Sequence, residues 1–291
     1  MKNLNALTSV LVLVCFVCLS SCFGPGPSPQ KLRIKSFEWD NILYHAEYDP
    51  YGTLIKLKGT DRDITFLYDE NAKLYQADIV LHGQPAPDVH LTFSQGAWGI
   101  TEIRTSDAAY VGMAQPNRID IIHYLTATKL SSFTFQELLL DQDGNPYVGF
   151  ELDRKFTYNG NNVARVYTIP AFTEFTASAY DHKSNPFMLL ADAVNNPAFF
   201  PLGGFANFPV GHYNIPLIST FSENNPIKGV YQIEGAPITA ITHVFNYSYD
   251  GNLVKKIVWN STYLGDPTQT RIFKFEYERV RCLPREHHGH E

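Results

Sequence analysis

The 291-residue chain has few charged residues, and this scarcity excludes two classes of protein. Asp, Glu, Lys and Arg make up 18% of the residues, and the formal net charge is only −6. A protein with a polybasic surface for nucleic acid needs a clear excess of Lys and Arg, and a charge-rich disordered chain has too few apolar residues to bury a core. With 44% hydrophobic residues, this chain is expected to fold, and no nucleic-acid partner is expected.

The sequence also lacks apolar segments of the length that a membrane-spanning helix needs. The unbroken apolar run from Val10 to Leu19 is short for a bilayer span, which takes roughly 20 residues, and it follows the single charge of Lys2. This arrangement is typical of an export signal. The four residues that end at Cys22 resemble a bacterial lipobox, which implies cleavage before this cysteine and a diacylglyceryl group on its thiol. We therefore expect residues 1–21 to be a lipoprotein signal peptide.

Cysteine is scarce once the signal is removed. Cys15 and Cys18 lie in the signal peptide and Cys22 is expected to be lipidated, so Cys282 has no partner for an intramolecular disulfide. Residues 22–30 are rich in Pro and Gly and are predicted to form a flexible tether. The membrane is thus an expected partner, through the lipid on Cys22. Because no acidic residue follows this cysteine, we expect the periplasmic face of the outer membrane, with surface exposure as the alternative.

Aromatic residues, glycine and proline are abundant, and their arrangement indicates β-hairpins. Alternating aromatic residues occupy one face of a strand, and the Asp, Asn or Gly that follows them favours a reversal of the chain. The pairs Asn159-Gly160 and Asp250-Gly251 are strong signals for two-residue turns. Related turn segments begin at Tyr48, Tyr68, Leu140, Tyr158 and Tyr249. The chain is therefore predicted to be largely a series of antiparallel hairpins.

These segments have the pattern Y-D-x-x-G-x-L-x-x-L, which resembles the YD repeat of Rhs-type surface proteins. The degenerate form is more similar to the repeats of Bacteroidota envelope lipoproteins of unknown function. The segment Tyr180–Phe187, together with the later Asn224–Pro226, is also similar to an element of those lipoproteins. The resemblance covers residues 40–80 and 133–280. It implies an envelope protein and supplies neither catalytic residues nor a cofactor.

The predicted fold is all-β, with one domain over residues 31–282. We expect a single large antiparallel meander that is curved or forms a half-barrel, with a two-sheet sandwich as the alternative. One short helix is predicted from Pro186 to Val194, with Asn185 as its N-cap, and a long Pro- and Phe-rich excursion follows it. A His-rich tail, 283–291, ends the chain. Strands are predicted from alternation at 32–37, 88–93, 101–104, 119–124, 165–169 and 271–277.

The excursion contains the candidate ligand-binding residues. Its aromatic residues are too closely spaced, and too often interrupted by Pro and Gly, to occupy one face of a strand. We expect them either to plug an open end of the sheet or to form an exposed apolar patch that binds a ligand. The candidates are Phe199, Phe200, Phe205, Phe208 and Tyr213.

Metal and catalytic sites are not predicted. The histidines of the tail have no fixed tetrahedral geometry, and the pairs Asp88–His90 and His243–Phe245 are expected to be solvated. The sequence has no G-x-S-x-G, H-E-x-x-H or P-loop motif. A hydrolase would have to be built from carboxylates that the fold brings together. The candidates for such a pair are Asp40, Glu47 and Asp78.

Three functions are consistent with these features. The first is a non-catalytic lipoprotein of the outer membrane that binds a glycan, a hydrophobic ligand or another envelope protein. The second is a periplasmic carrier of acyl chains, which needs a dry concave sheet face. The third is an extracytoplasmic hydrolase, which needs two close carboxylates with shifted pKa values. The hairpin pattern and the lack of catalytic motifs favour the first.

Overall fold

The computed structural model describes residues 30–39, 41–84, 87, 89–107, 116–194, 222–233, 236–263 and 266–282. Over this part of the chain the structure consists of β-strands and one short helix. The strands are β1 (Gln30–Trp39), β2 (Ile42–Tyr48), β3 (Leu54–Gly59), β4 (Arg62–Tyr68), β5 (Leu74–Leu81), β6 (Val89–Gly96), β7 (Gly99–Asp107), β8 (Arg118–Thr126), β9 (Lys129–Leu140), β10 (Pro146–Asn159), β11 (Asn162–Ile169), β12 (Thr173–Ser184), β13 (Asn224–Ile233), β14 (Ala236–Asp250), β15 (Leu253–Tyr263) and β16 (Gln269–Arg281). The helix, α1 (Pro186–Ala193), lies between β12 and β13.

All sixteen strands belong to one closed antiparallel barrel. Each strand pairs with the strands before and after it in sequence, and β1 pairs with β16 to complete the ring. Ser36 Oγ, for example, donates a hydrogen bond to Glu276 Oε2 at 3.0 Å, across 240 residues of sequence. The prediction of a curved meander or half-barrel is therefore wrong, and so is its alternative, the two-sheet sandwich. Closure removes the two sheet edges whose backbone groups an open meander leaves unpaired.

The apolar face of the wall points into the barrel. Along β16, Phe273 and Phe275 are buried on the inner face, whereas Lys274 and Glu276 are exposed. The same alternation in the other strands produces one continuous cluster of buried apolar residues. The outward positions of the described strands carry many charged side chains, such as Lys56, Lys58 and Lys274. Ion pairs on that wall include Lys56–Asp63, Lys58–Glu47, Arg165–Glu174 and Lys274–Glu38.

The two ends of the barrel differ. One end, here called the tyrosine end, has the turns after β2, β4, β6, β8, β10 and β14, together with Gln30 and Cys282. The opposite end, here called the hairpin end, has the turns after the odd-numbered strands. There β9 and β10 project beyond their neighbours, because β8 pairs with β9 up to Glu137 and β11 pairs with β10 up to Asp153. The projecting part exposes apolar side chains such as Tyr147.

At the tyrosine end, β-bulges lie beside the turns. A bulge adds one residue to a strand and disrupts the backbone ladder. A side chain from the next hairpin compensates: the Tyr68 hydroxyl donates to the Leu54 carbonyl at 2.6 Å, beside the bulge at Ile55. Gln95 Nε2 donates to the Leu74 carbonyl at 2.7 Å in the same way. Equivalent bonds join Tyr48 to Ile34, Tyr124 to Ile100, Tyr180 to Val163 and Tyr277 to Val254. Each of these side chains thus ties its strand to the preceding strand of the wall.

The turns that begin at Asp49, Asp69 and Asp141 have the same hydrogen bonds. In the first, Asp49 Oδ1 accepts from the backbone N–H of Tyr51 at 2.9 Å and from that of Thr53 at 2.8 Å. The corresponding bonds in the other two turns measure 2.7 to 2.9 Å. The prediction that aspartate bonds its own downstream backbone is confirmed at these turns. Positive φ angles follow three residues later, at Gly52 (84°), Ala72 (58°) and Gly144 (81°).

Tyr68→Phe is expected to lower the free energy of unfolding by about 1–2 kcal/mol, because it leaves the Leu54 carbonyl beside the bulge without its donor. Tyr75→Phe is the matched control, since Tyr75 occupies the neighbouring bulge and is 44% exposed. Urea unfolding of both variants measures the difference. Equal losses would show that the hydroxyl–carbonyl bond contributes nothing specific.

Helix α1 begins at the predicted residue and ends at Ala193. Its N-cap is Asn185, as predicted, and Asn185 Oδ1 accepts a hydrogen bond from the backbone N–H of Phe187 at 3.0 Å. The Phe187 ring packs edge-on against Phe273 and Phe275, with centroid distances of 6.5 and 5.7 Å. Because those rings lie on the inner face of β16, α1 covers part of the interior at the tyrosine end. No helix within the described ranges has the length and apolar character needed to cross a membrane.

Candidate functional site

The interior of the barrel is the candidate functional site. The inward side chains of the described wall form one continuous apolar cluster, and its members are almost fully buried. The lining includes a run of aromatic rings: Phe245 and Trp259 lie 5.9 Å apart, and Trp259 and Phe273 lie 6.4 Å apart. Phe37 and Phe275, 6.5 Å apart, extend this run. An apolar, aromatic lining of this kind is suited to an apolar ligand.

A hydrogen-bond network joins β12 and β13 beside α1. Asp181 Oδ1 accepts from the backbone N–H groups of Lys183 and Asn225, each at 3.0 Å. The Asn225 amide also donates to both Asp181 oxygens, at 3.2 and 3.1 Å, and the Tyr249 hydroxyl donates to Oδ2. Asn225 is only 1% exposed. This network joins the end of β12, after which α1 begins, to the start of β13. Its three residues, Asp181, Asn225 and Tyr249, are here called the Asp181 latch.

Asn185 ties α1 to the same region. Its Nδ2 donates to the Ser222 carbonyl at 2.9 Å, and Ser222 Oγ accepts from the backbone N–H of Val163 at 3.0 Å. The two segments that resemble one lipoprotein element, Tyr180–Phe187 and Asn224–Pro226, therefore meet in space. Their described contacts are structural, because they anchor α1 to the wall.

Toward the hairpin end, polar side chains interrupt the apolar lining. Asp120 is fully buried on the inner face of β8. Arg118 holds it with two hydrogen bonds of 2.9 Å, from Nε to Oδ2 and from Nη2 to Oδ1. Burial raises the pKa of Asp120, and the charge of Arg118 opposes this shift. These two residues, with Thr105, Arg154 and Thr168, are here called the polar belt.

Arg154 faces the same interior from β10. Its guanidinium lies over the Phe133 ring, with Cζ 5.0 Å from the ring centroid. Burial and then the like charge of Arg118 lower the pKa of Arg154 to about 10, so the side chain stays protonated at neutral pH. Arg154 is half-buried, and its cross-strand partner on β11, Thr168, is buried. A positive charge is thus present within the mostly apolar lining.

His243 lies on the inner face of β14, with the Phe175 and Trp259 ring centroids 5.9 and 5.7 Å from its own. Trp259 Nε1 donates to His243 Nδ1 at 3.1 Å, and the Ser261 hydroxyl lies 2.9 Å from the same nitrogen. Because Nδ1 accepts, the ring proton is assigned to Nε2. Burial lowers the pKa of His243 to about 4, so the ring is neutral at physiological pH. The prediction that His243 is solvated is wrong, because its strand face lines the closed barrel.

A pocket of about 470 Å³ lies at the tyrosine end, between two turns and α1. Its polar groups bond within the protein: Lys129 Nζ donates to the Gly160 carbonyl, and Asn161 Nδ2 donates to Glu223 Oε2, both at 2.8 Å. The pocket is therefore a weaker candidate site than the barrel interior.

The predicted ligand-binding residues lie outside the residues that the structure describes. They are Phe199, Phe200, Phe205, Phe208 and Tyr213. Cys22, the signal peptide, the His-rich tail, Asp40 and Asp88 also lie outside the described ranges. The roles assigned to them from the sequence remain predictions.

The other two carboxylates of the hydrolase hypothesis do not pair with each other. Glu47 on β2 forms an ion pair with Lys58 at 2.6 Å. Asp78 on β5 contacts His90 at 2.6 Å and accepts from Gln76 Nε2 at 3.0 Å. Within the described part of the chain, no group of three or more His, Cys, Asp or Glu is placed to hold a metal ion.

The sequence patterns did not predict the polar belt. Its signal is a charged residue at an inward position of an otherwise apolar strand face. Asp120 occupies such a position in the predicted strand 119–124. Arg154 lies between the buried Leu152 and Phe156 on the same face of β10. Alternation alone does not show that these strand faces line a closed interior. From the sequence alone, the charged residues are therefore interpreted as ordinary surface residues.

No protein-family model matches this chain, and no curated protein matches its sequence. Among solved structures, it is similar to a porin-like protein from Bacteroides uniformis, with 15% identity and a TM-score of 0.48, over 87% of this chain and 98% of that chain. A porin-like protein from Bacteroides vulgatus has 12% identity and a TM-score of 0.30, over 84% and 98%. The Tc holotoxin pore of Photorhabdus luminescens has 13% identity and a TM-score of 0.30, over 78% of this chain and 9% of that chain. At these values, none of the three assigns the chain to a family or a function.

Proposed function

We propose that this protein is a non-catalytic lipoprotein of the outer membrane that holds an apolar molecule, such as an acyl chain, inside its barrel. The observation that carries the proposal is the direction of the apolar face, which points inward in a closed barrel while the outer wall is charged. A membrane-spanning channel has the reverse arrangement, with a polar lumen and an apolar outer band. The protein then acts as a container at the membrane surface.

The proposed tether of the barrel starts at the lipid on Cys22. The first described residue, Gln30, pairs with Arg281 at the tyrosine end, so the tether joins the barrel at that end. The short sequence between Cys22 and Gln30 keeps the tyrosine end near the membrane and leaves the hairpin end on the far side. A ligand that enters at the hairpin end thus comes from the aqueous side of the envelope.

Binding in the interior is testable with the Cys22→Ala chain from which residues 1–21 have been removed, because a chain without the lipid and without the signal peptide needs no detergent. Solvent extraction and mass spectrometry identify lipids that co-purify, and the fluorescence of added cis-parinaric acid measures rebinding. We expect saturable binding of about one or two molecules per barrel. Absence of saturable binding would contradict the proposal.

A matched pair of substitutions on β15 localises the site. Ile257 is buried on the inner face, and Val258 is on the outer face. We expect Ile257→Gln to weaken binding of cis-parinaric acid several-fold, because it places an amide in the apolar lining. Val258→Gln is expected to leave the affinity unchanged. Thermal unfolding of both variants separates a local effect from a loss of folded protein.

A further inference from the structure

Four buried polar atoms in the described part of the chain have no hydrogen-bond partner, and all four belong to inward-facing residues. They are Thr105 Oγ1, Arg154 Nε, Thr168 Oγ1 and His243 Nε2. Burying a polar group without a partner is unfavourable, and burying an unpaired charge is more so. Such groups require an explanation, and a bound molecule that accepts hydrogen bonds is one.

The charge of Arg154 is the strongest of these signals. The nearest buried carboxylate, Asp120, is already held by Arg118 through both of its oxygens. Glu137 lies opposite Arg118 across β8 and β9 but is exposed at the rim, and Arg154 Nε has no hydrogen-bond acceptor within the described part of the chain. The contact of Arg154 with the Phe133 ring stabilises the cation but offers no oxygen acceptor. The site therefore favours an anion.

The position of Arg154 indicates which way a bound anionic molecule would point in the barrel. The pairing of β10 with β11 begins at Asp153 on the hairpin end, so Arg154 lies one residue inside the rim. Thr168 lies opposite Arg154 on β11, and its hydroxyl is one of the atoms without a partner. Toward the tyrosine end, the next inward residues on these two strands are the apolar Phe156 and Val166. A charged head at Arg154 is thus followed by apolar side chains toward the interior of the barrel.

We propose that the barrel binds a single-chain amphiphile with an anionic head group, a carboxylate or a phosphate monoester. Arg154 and Thr168 hold the head group, and the chain extends along the apolar lining toward α1. This inference rests on the proposed function and narrows it from any apolar molecule to an anionic one.

Three probes with the same chain test the head group: oleic acid, oleyl phosphate and oleyl alcohol, each competing with a bound fluorescent reporter on the delipidated Cys22→Ala chain. We expect the two anions to bind at least tenfold more tightly than the alcohol. Equal binding of all three would overturn the anionic head group and leave the proposed function standing. Binding of none would overturn both.

Arg154→Met tests the residue, because it keeps the length of the side chain and removes the charge. We expect it to lower the affinity for oleic acid and oleyl phosphate at least tenfold and to leave oleyl alcohol unchanged. Arg165→Met, on the outer face of β11, is the matched control and is expected to change none of the three affinities. A parallel loss for acid and alcohol would overturn the role of Arg154. If Arg154→Met does not fold, Arg154→Lys and the wild-type comparison of head groups decide the question.

Discussion

Asp181→Ala is expected to lower the free energy of unfolding by roughly 3 kcal/mol, one of the largest effects that a single polar substitution can have in this barrel. The carboxylate accepts from the backbone and side chain of Asn225 and from the Tyr249 hydroxyl. Without it, these donors lose their acceptor in a region where Asn225 is almost fully buried. Urea unfolding measures the loss, and limited proteolysis shows whether the α1 segment opens before the rest of the wall.

Asp141→Ala is the control for this experiment. Asp141 also accepts backbone hydrogen bonds, from Asp143 and Asn145, and these bonds hold its pKa below the usual range. Its turn lies at the tip of the projecting hairpin in contact with water, so solvent replaces the lost acceptor. We therefore expect a much smaller loss of stability than at Asp181. Equal losses at Asp141 and Asp181 would show that the latch contributes no more than an ordinary turn.

Local structure is predictable in this chain because its signals lie within a few residues of one another. The N-cap and proline at Asn185 and Pro186 predict α1, and the structure places the helix there. Gly160 and Gly251 have the positive φ angles that two-residue turns use, 57° and 61°. The loop residues are Gly160-Asn161 and Gly251-Asn252, one position later than the predicted pairs, because Asn159 and Asp250 still pair as strand residues. Each of these features is decided by the conformational preferences of the residues themselves.

Closure of the barrel was not predictable from the same signals. An inner and an outer face alternate along a strand in the same way in an open and in a closed sheet. The difference is the pairing of β1 with β16, which joins opposite ends of the chain. The bulges at the tyrosine end add bend and twist to each hairpin, and their hydroxyl–carbonyl bonds lie between hairpins, where sequence spacing does not reveal them.

The candidate site forms only when the barrel closes, and for this reason the sequence patterns did not predict it. Asp120, Arg154 and His243 are single polar residues among apolar neighbours on their strand faces. In an open sheet, such residues can remain in contact with water. In the closed barrel they face a common interior, and the pKa of His243 is lowered because it is buried there. The predicted binding residues of the excursion follow α1 in sequence, and α1 itself packs against the inner face of β16.

Cys22→Ala is expected to move the protein from the membrane fraction to the soluble fraction. Each buried methylene of an acyl chain contributes about 0.8 kcal/mol to membrane binding, so the several chains of a bacterial lipoprotein make release negligible while the thiol is modified. The described outer wall of the barrel carries many charged side chains, including those of its ion pairs. Fractionation after washes with high salt and with carbonate measures the change.

Cys282→Ala is the matched control, because Cys282 is the only other cysteine beyond the predicted signal peptide and is a free thiol in the structure. This variant is expected to stay with the membrane. The intact mass of each protein separates two outcomes that fractionation alone confuses, loss of the lipid and retention of residues 1–21 as an uncleaved anchor. A Cys22→Ala chain that lacks residues 1–21 and still sediments with washed membranes would contradict the lipid anchor and point to a second attachment. A wild-type mass without added acyl groups would contradict the lipobox itself.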